Sequence, residues 1–192
     1  MPQLRLATQT EHQRIERSEL LSGLLTTNYS MAQYQQLLAR LFGFYSALEP
    51  QIFTGLPEYA APVLMNRQKS DLLVRDLQAF SMNLTAVEAL PRCFTLPELK
   101  SFAARMGSLY VMEGATLGGQ IIQRKLIEQF GVGIQPTLYF YSAYGDDTGR
   151  QWYMFKTAME QWFGQDNDAV ERLITSARAT FNCLIEWLEA NN

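Results

Sequence analysis

"GSLYVMEGATLGGQII", residues 107–122, is helical in its apolar spacing and yet carries Gly114, Gly118 and Gly119 in its interior. Each interior glycine costs a helix about 1 kcal/mol relative to alanine, so three of them in one short stretch call for a reason. Gly114 and Gly118 lie about one turn apart and share a face, with Gly119 beside them. A helix stripped of side chains along one face allows close approach of its backbone, and glycine also eases bending. Two occupants suit such a face: a flat ligand, or a second helix packed through the small residues Gly114, Ala115 and Gly118. A phosphate loop does not, because these glycines sit mid-helix rather than between a strand and a helix.

Outward from this stretch, helical periodicity dominates and strand signals are scarce. The glycine-bearing helix is expected over about residues 97–130, ended by "GVGIQP". Before it, a first helix is expected from Pro2 to about Leu25, with Pro2 tolerated in the opening turn. "TTNYS" reads as a turn with Ser30 as N-cap. A second helix carries Tyr34, Leu37, Leu38, Leu41, Phe42 and Tyr45 at three- and four-residue steps and is expected to end near Pro50. A third is expected over residues 69–82 and a short one over 85–90. "LYFYSAYGDDTG" is an aromatic loop, followed by helices near 150–163 and 168–190. No repeat, linker or low-complexity stretch interrupts the pattern. Residues 1–192 are expected to form one all-α domain, a multihelical bundle with short connections.

The chain has 192 residues and a net charge of -3, so charge gives no case for nucleic acid or an anionic membrane. The N-terminal residues lack the long apolar core of a signal peptide, and no run of about twenty apolar residues suits a transmembrane span. A cytoplasmic protein is expected. Cys93 and Cys183 are far apart in sequence and lie in apolar surroundings, which reads as buried free thiols.

His12 is the only histidine. Arg5, Thr8, His12 and Glu16 are spaced by three, four and four, and fall within a stripe roughly 80° wide on a helix. Glu16 is placed to accept a hydrogen bond from His12 Nδ1, which leaves Nε2 free as an oriented ligand. The same spacing also arises on an ordinary solvated helix. One histidine and two distant cysteines are too few for a structural zinc site, and no serine sits in a nucleophile elbow. A single protein ligand suits haem, whose porphyrin supplies the other four donors.

"LRLATQTEHQRIE" (4–16), "LPRCFTLPELKSFAARMGSLYVMEGATLGGQIIQRKL" (90–126), "YFYSAYG" (139–145), "WYMFK" (152–156) and "ARATFNCLIEWLE" (177–189) together resemble the bacterial haem oxygenases. The resemblance is strongest to the biliverdin-producing branch that accompanies bacteriophytochromes. It covers nearly the whole chain in order, and "LYVMEGATLGG" is its most specific piece. It implies a haem-oxygenase-like bundle with haem between the first helix and a kinked, glycine-rich distal helix.

By this resemblance His12 is the proximal iron ligand and Glu16 the carboxylate touching its imidazole. Arg5 is a basic group near the haem propionates, with Thr8 on the same stripe. Gly114, Gly118 and Gly119 lie over the haem and bend with ligand binding, and Phe181 lines the pocket. Tyr110, Arg124 and Lys156 stand where pocket or propionate contacts occur. Ala115 departs from the mammalian-type pattern, which has an aspartate there to order water over bound oxygen; alanine has no side-chain hydrogen-bonding group.

The implied reaction takes haem, which is both cofactor and substrate, with O2 and reducing equivalents to biliverdin, iron(II) and carbon monoxide. Electrons are expected from an acidic ferredoxin or flavodoxin docking near Arg14, Arg17, Arg124 and Lys125. A bacteriophytochrome is the expected biliverdin acceptor. Two alternatives stand beside this reading: a haem carrier or sensor without turnover, which Ala115 suits, and a thiaminase-like helical enzyme that binds no haem.

Overall fold

The glycine-bearing helix is the longest rod of the fold, and α10 lies along it. These relations come from a computed structural model that describes residues 2–24 and 29–190. The helices are α1 (Pro2–Ala7), α2 (Gln9–Glu16), α3 (Glu19–Gly23), α4 (Met31–Phe53), α5 (Ala61–Leu64), α6 (Ser70–Ala79), α7 (Leu84–Glu88), α8 (Phe102–Phe130), α9 (Thr148–Phe163) and α10 (Asn167–Glu189). No strand occurs among the described residues.

The apolar stripe expected on the second helix is the core. Tyr34, Leu37, Leu38, Leu41, Phe42 and Tyr45 of α4 are all buried, joined by Leu73 and Leu77 of α6 and Leu173, Leu184 and Ile185 of α10. Ser30 caps α4 through a reciprocal box: Gln33 N–H donates to Ser30 Oγ at 3.2 Å, and Ser30 N–H donates to Gln33 Oε1 at 2.8 Å. The helix passes Pro50 and ends three residues later at Phe53. Pro50 lacks only one N–H, and the last turn closes from Thr54 N–H to the Pro50 carbonyl at 3.1 Å.

Two expected boundaries move. The glycine helix begins at Phe102, not near Pro97, because Ser101 Oγ accepts from Ala104 N–H at 3.1 Å and forms the N-cap. The expected first helix is three short pieces. Thr8 interrupts it with φ -105 and ψ 8, and its hydroxyl donates to the Leu4 carbonyl at 2.8 Å. Such back-bonding by threonine bends helices. A second break falls at Arg17 and Ser18, and the expected end at Leu25 lies outside the described residues.

Helix α8 runs unbroken through its four glycines and ends at Gly131, whose φ of 79 suits glycine. Helix α10 is the common wall, packing against both α8 and α2. Gly107 allows the α8–α10 approach: a Cβ there would collide with the Leu173 backbone. Beside it, Ser108 Oγ lies 3.1 Å from Ser176 Oγ and 2.6 Å from Thr180 Oγ1, and these two donate in turn to the Ala104 and Ser176 carbonyls, so the buried hydroxyls of the seam are satisfied.

Candidate active site

The imidazole of His12 is held by its surroundings and yet open to solvent. Its Nδ1 lies 3.4 Å from Glu16 Oε1, one turn along α2, and the two side chains are 58% and 63% exposed. The Phe181 ring of α10 meets the imidazole edge to face at 6.0 Å and 71°. Two polar ties carry α1 and α2 on α10. Arg178 Nε donates to the Ala7 carbonyl at 2.8 Å and lies 3.4 Å from Glu11 Oε1. Arg14 donates to Asn182 Oδ1 at 3.0 Å.

The stripe read from helical spacing therefore divides. Arg5, His12 and Glu16 are exposed, whereas Thr8 is only 3% exposed and spends its hydroxyl within its own helix. Thr8 lies at the edge of the stripe beside Leu4 and Ile15, which are buried, and so falls on the inward side while the other three stay outward.

The three interior glycines divide too. A Cβ on Gly118 would meet nothing within 4 Å, and one on Gly114 only the Trp152 ring at 3.8 Å. Gly119 is different. A Cβ there would collide with the Tyr141 backbone carbonyl, so this glycine serves close packing on the opposite side from an open face. Ala115 is exposed, and the exposed apolar residues Leu117 and Ile121 continue the open face along α8. Leu6 adds another exposed apolar side chain from α1.

Tyr110 sits one turn before Gly114 and is buried against Trp152, with ring centroids 5.2 Å apart. Burial raises its phenol pKa, and the charge of Arg5 pulls it back, so α1 lies within electrostatic reach of Tyr110 at this end of α8. Lys156 Nζ lies over Trp152 at 5.3 Å. Trp152 is a site residue that sequence reasoning quoted only as part of "WYMFK"; an indole set between a tyrosine and a glycine face has no local sequence signature.

A second group escaped sequence reasoning altogether. The Glu113 carboxylate, buried inside α8 next to Gly114, is gripped by Arg67 and Lys69, with all three side chains 1–2% exposed. The Tyr144 hydroxyl donates to it at 2.9 Å. The available signal was a lone carboxylate in the apolar run "SLYVMEGATLGG", since a buried charge requires partners.

The remaining basic candidates lie at the end of α2 and on α8. Arg17 and Arg124 are exposed, and Lys125 pairs with Glu128 at 2.8 Å. Among the described residues no three His, Cys, Asp or Glu side chains come together as a metal site. No described helix is long and apolar enough to cross a membrane.

Fold and site together describe an all-α protein with one exposed, oriented imidazole and one bare helix face on two helices that share a wall. The heme oxygenase family model matches residues 1–190, and the chain belongs to that family. A heme oxygenase of Xanthomonas campestris is 30% identical over 148 residues, 77% of this chain and 84% of that protein. Two solved structures share the fold. The heme oxygenase-1 of the cyanobacterium Synechocystis, solved in complex with heme, superposes with a TM-score of 0.75 at 19% identity, covering 97% of this chain and 89% of that one. The heme oxygenase of Leptospira interrogans gives 0.74 at 17% identity, covering 97% and 96%. The protein is a haem-degrading enzyme.

Proposed function

We propose that haem is held between α2 and the open face of α8, with His12 as the iron ligand, and is cleaved to biliverdin, iron(II) and carbon monoxide. The observation that carries this assignment is the pairing of an oriented, exposed imidazole with a helix face that is bare at Gly118. When bound, haem supplies the redox chemistry itself, with O2 and external electrons.

The chain's own residues hold and shield. Glu16, 3.4 Å from His12 Nδ1, is placed to accept a hydrogen bond from it as the pair tightens, which would fix the tautomer and make Nε2 the better donor. Phe181 sets the plane of the imidazole ring by its edge contact. Arg5 offers a guanidinium to a propionate, a charge-assisted pair that anchors one edge of the substrate and sets its rotation in the plane. Tyr110 and Trp152 wall that end. Gly114 and Gly118 allow the ligand plane to approach the α8 backbone, while Leu6, Leu117 and Ile121 give apolar cover that excludes water. The role of Thr8 is to bend the α1–α2 junction, and Gly119 acts by seating α8 rather than by touching the ligand.

Electrons come from an acidic ferredoxin or flavodoxin-type protein, for which the exposed Arg17 and Arg124 are the basic candidates. A bacteriophytochrome is the biliverdin acceptor, the setting is cytoplasmic, and residues 1–192 act as one domain. Hemin added to the purified protein should give a sharp Soret band. Ascorbate in air with catalase should then convert that band to broad biliverdin absorption. A Soret band that persists, there and with a ferredoxin system, would instead describe a haem carrier, the reading that Ala115 favours. Without any Soret shift, His12 would not be an iron ligand.

A further inference from the structure

The open face of α8 has a back, and the back is anchored at two points. The first is Glu113. Its carboxylate receives Arg67 Nη1 and Lys69 Nζ, and the Tyr144 hydroxyl bridges Glu113 and Lys69 at 2.9 and 3.1 Å. Arg67 is held in turn by the carbonyls of Val63 at 2.6 Å and Gln151 at 3.1 Å. Arg67 and Lys69 are buried with exposed Gln68 between them, as alternation along a non-helical stretch requires. Asn66 enters that stretch with φ 66, a left-handed conformation that asparagine tolerates. The second point lies six residues on, where Gly119 presses against the Tyr141 carbonyl.

Both anchors use one segment, residues 138–144. That segment is itself tied down by Asp76, whose carboxylate accepts Tyr139 N–H at 2.6 Å and Phe140 N–H at 2.9 Å. Between the anchors lie Gly114, Ala115, Leu117 and Gly118, which carry no side-chain hydrogen-bonding group, and Thr116, whose hydroxyl donates back to the Glu113 carbonyl at 2.7 Å within the same helix. The order of this span is therefore set by where the backbone is held. Stability alone does not account for the Glu113 cluster. A buried ion pair is commonly no more stable than well-packed apolar residues of the same volume, and its best-attested use is to fix one register.

We propose that the Glu113 cluster and the Tyr141–Gly119 contact form a two-point cradle that sets the height of the glycine span over the substrate, with Glu113 as the positioning residue. The proposal rests on the haem assignment for its consequence, but not for the cradle itself.

Tyr144→Phe removes the bridging hydroxyl and keeps the ring; Glu113→Gln removes the charge. Amide hydrogen exchange of the full-length apoprotein reads the cradle directly. In Tyr144→Phe, peptides covering residues 110–122 should exchange about tenfold faster, a local opening, while those of α10 are unchanged. In the hemin complex the acid–alkaline midpoint of the ferric spectrum should shift, at unchanged stoichiometry and His12 ligation. Unchanged exchange over 110–122, or an equal rise in every peptide, overturns the proposal. Should Glu113→Gln fail to fold, Tyr144→Phe decides alone. Should the wild-type protein fail to bind hemin, the haem assignment falls while the exchange result still decides the cradle.

Discussion

At the scale of single residues, the proposed site pairs an exposed imidazole on α2 with glycines on α8 that leave open space. His12→Ala should still fold, because the imidazole is 58% exposed and its loss opens no cavity. Its hemin complex should lose the sharp histidine-ligated Soret band, and added imidazole should restore it; a normal spectrum without imidazole would place the ligand elsewhere. The glycines provide an opposed pair. Gly118→Leu should leave the apoprotein as stable or more stable by up to about 1 kcal/mol, the gain in helix propensity. It should weaken hemin binding at least about tenfold, a loss of about 1.4 kcal/mol. Gly119→Ala meets the Tyr141 carbonyl and should cost about 1–3 kcal/mol in chemical denaturation, as overpacking does. Equal effects of the two substitutions on stability would contradict the division between open and packed glycines.

At the scale of elements, α6 reaches the site through one carboxylate. Asp76 is fully buried and, mainly through burial, its pKa rises from 3.8 to about 6 against the opposing pull of its two backbone donors and Arg75. The folded state thus takes up this proton before the unfolded state does. Stability contributed by the group rises as pH falls from about 6 toward 3.8, and is flat above that window. Asp76→Asn offers one acceptor oxygen to two N–H groups and should cost about 1–3 kcal/mol at pH 7. The deficit should widen when unfolding is repeated at pH 5, and a constant deficit would refute the assignment of that proton. Much of the helical layout was legible in the sequence, because apolar steps of three and four residues report directly which face is buried. The His12–Glu16 pair was legible for the same reason. The break at Thr8 was not, since a threonine reads alike whether its hydroxyl faces water or the preceding turn. Nor was the Glu113 cluster, whose ties span 46, 44 and 31 residues, leaving no local spacing to read.

At the scale of the whole molecule, α10 is the element on which the two sides of the site depend. It lies along α8 and carries α1 and α2 through Arg178, Phe181 and Asn182. Arg178→Ala removes the donor to Ala7 and the partner of Glu11. Because these ties are peripheral to the core, the thermal midpoint should change by only a few degrees. Hemin release to a scavenging protein should nonetheless quicken several-fold, since His12 would ride on a looser support; unchanged release would assign α2 its own rigidity. The ties between α1–α2 and α10 join residues 168 and 171 positions apart. On a translating ribosome, His12 emerges long before the helix that seats it. The nascent N-terminal segment has no wall to dock on, and on the proposed assignment of His12 haem capture waits until α10 has cleared the exit tunnel. Assembly of the site is thus late in synthesis, and fragments that stop short of α10 should leave haem unbound.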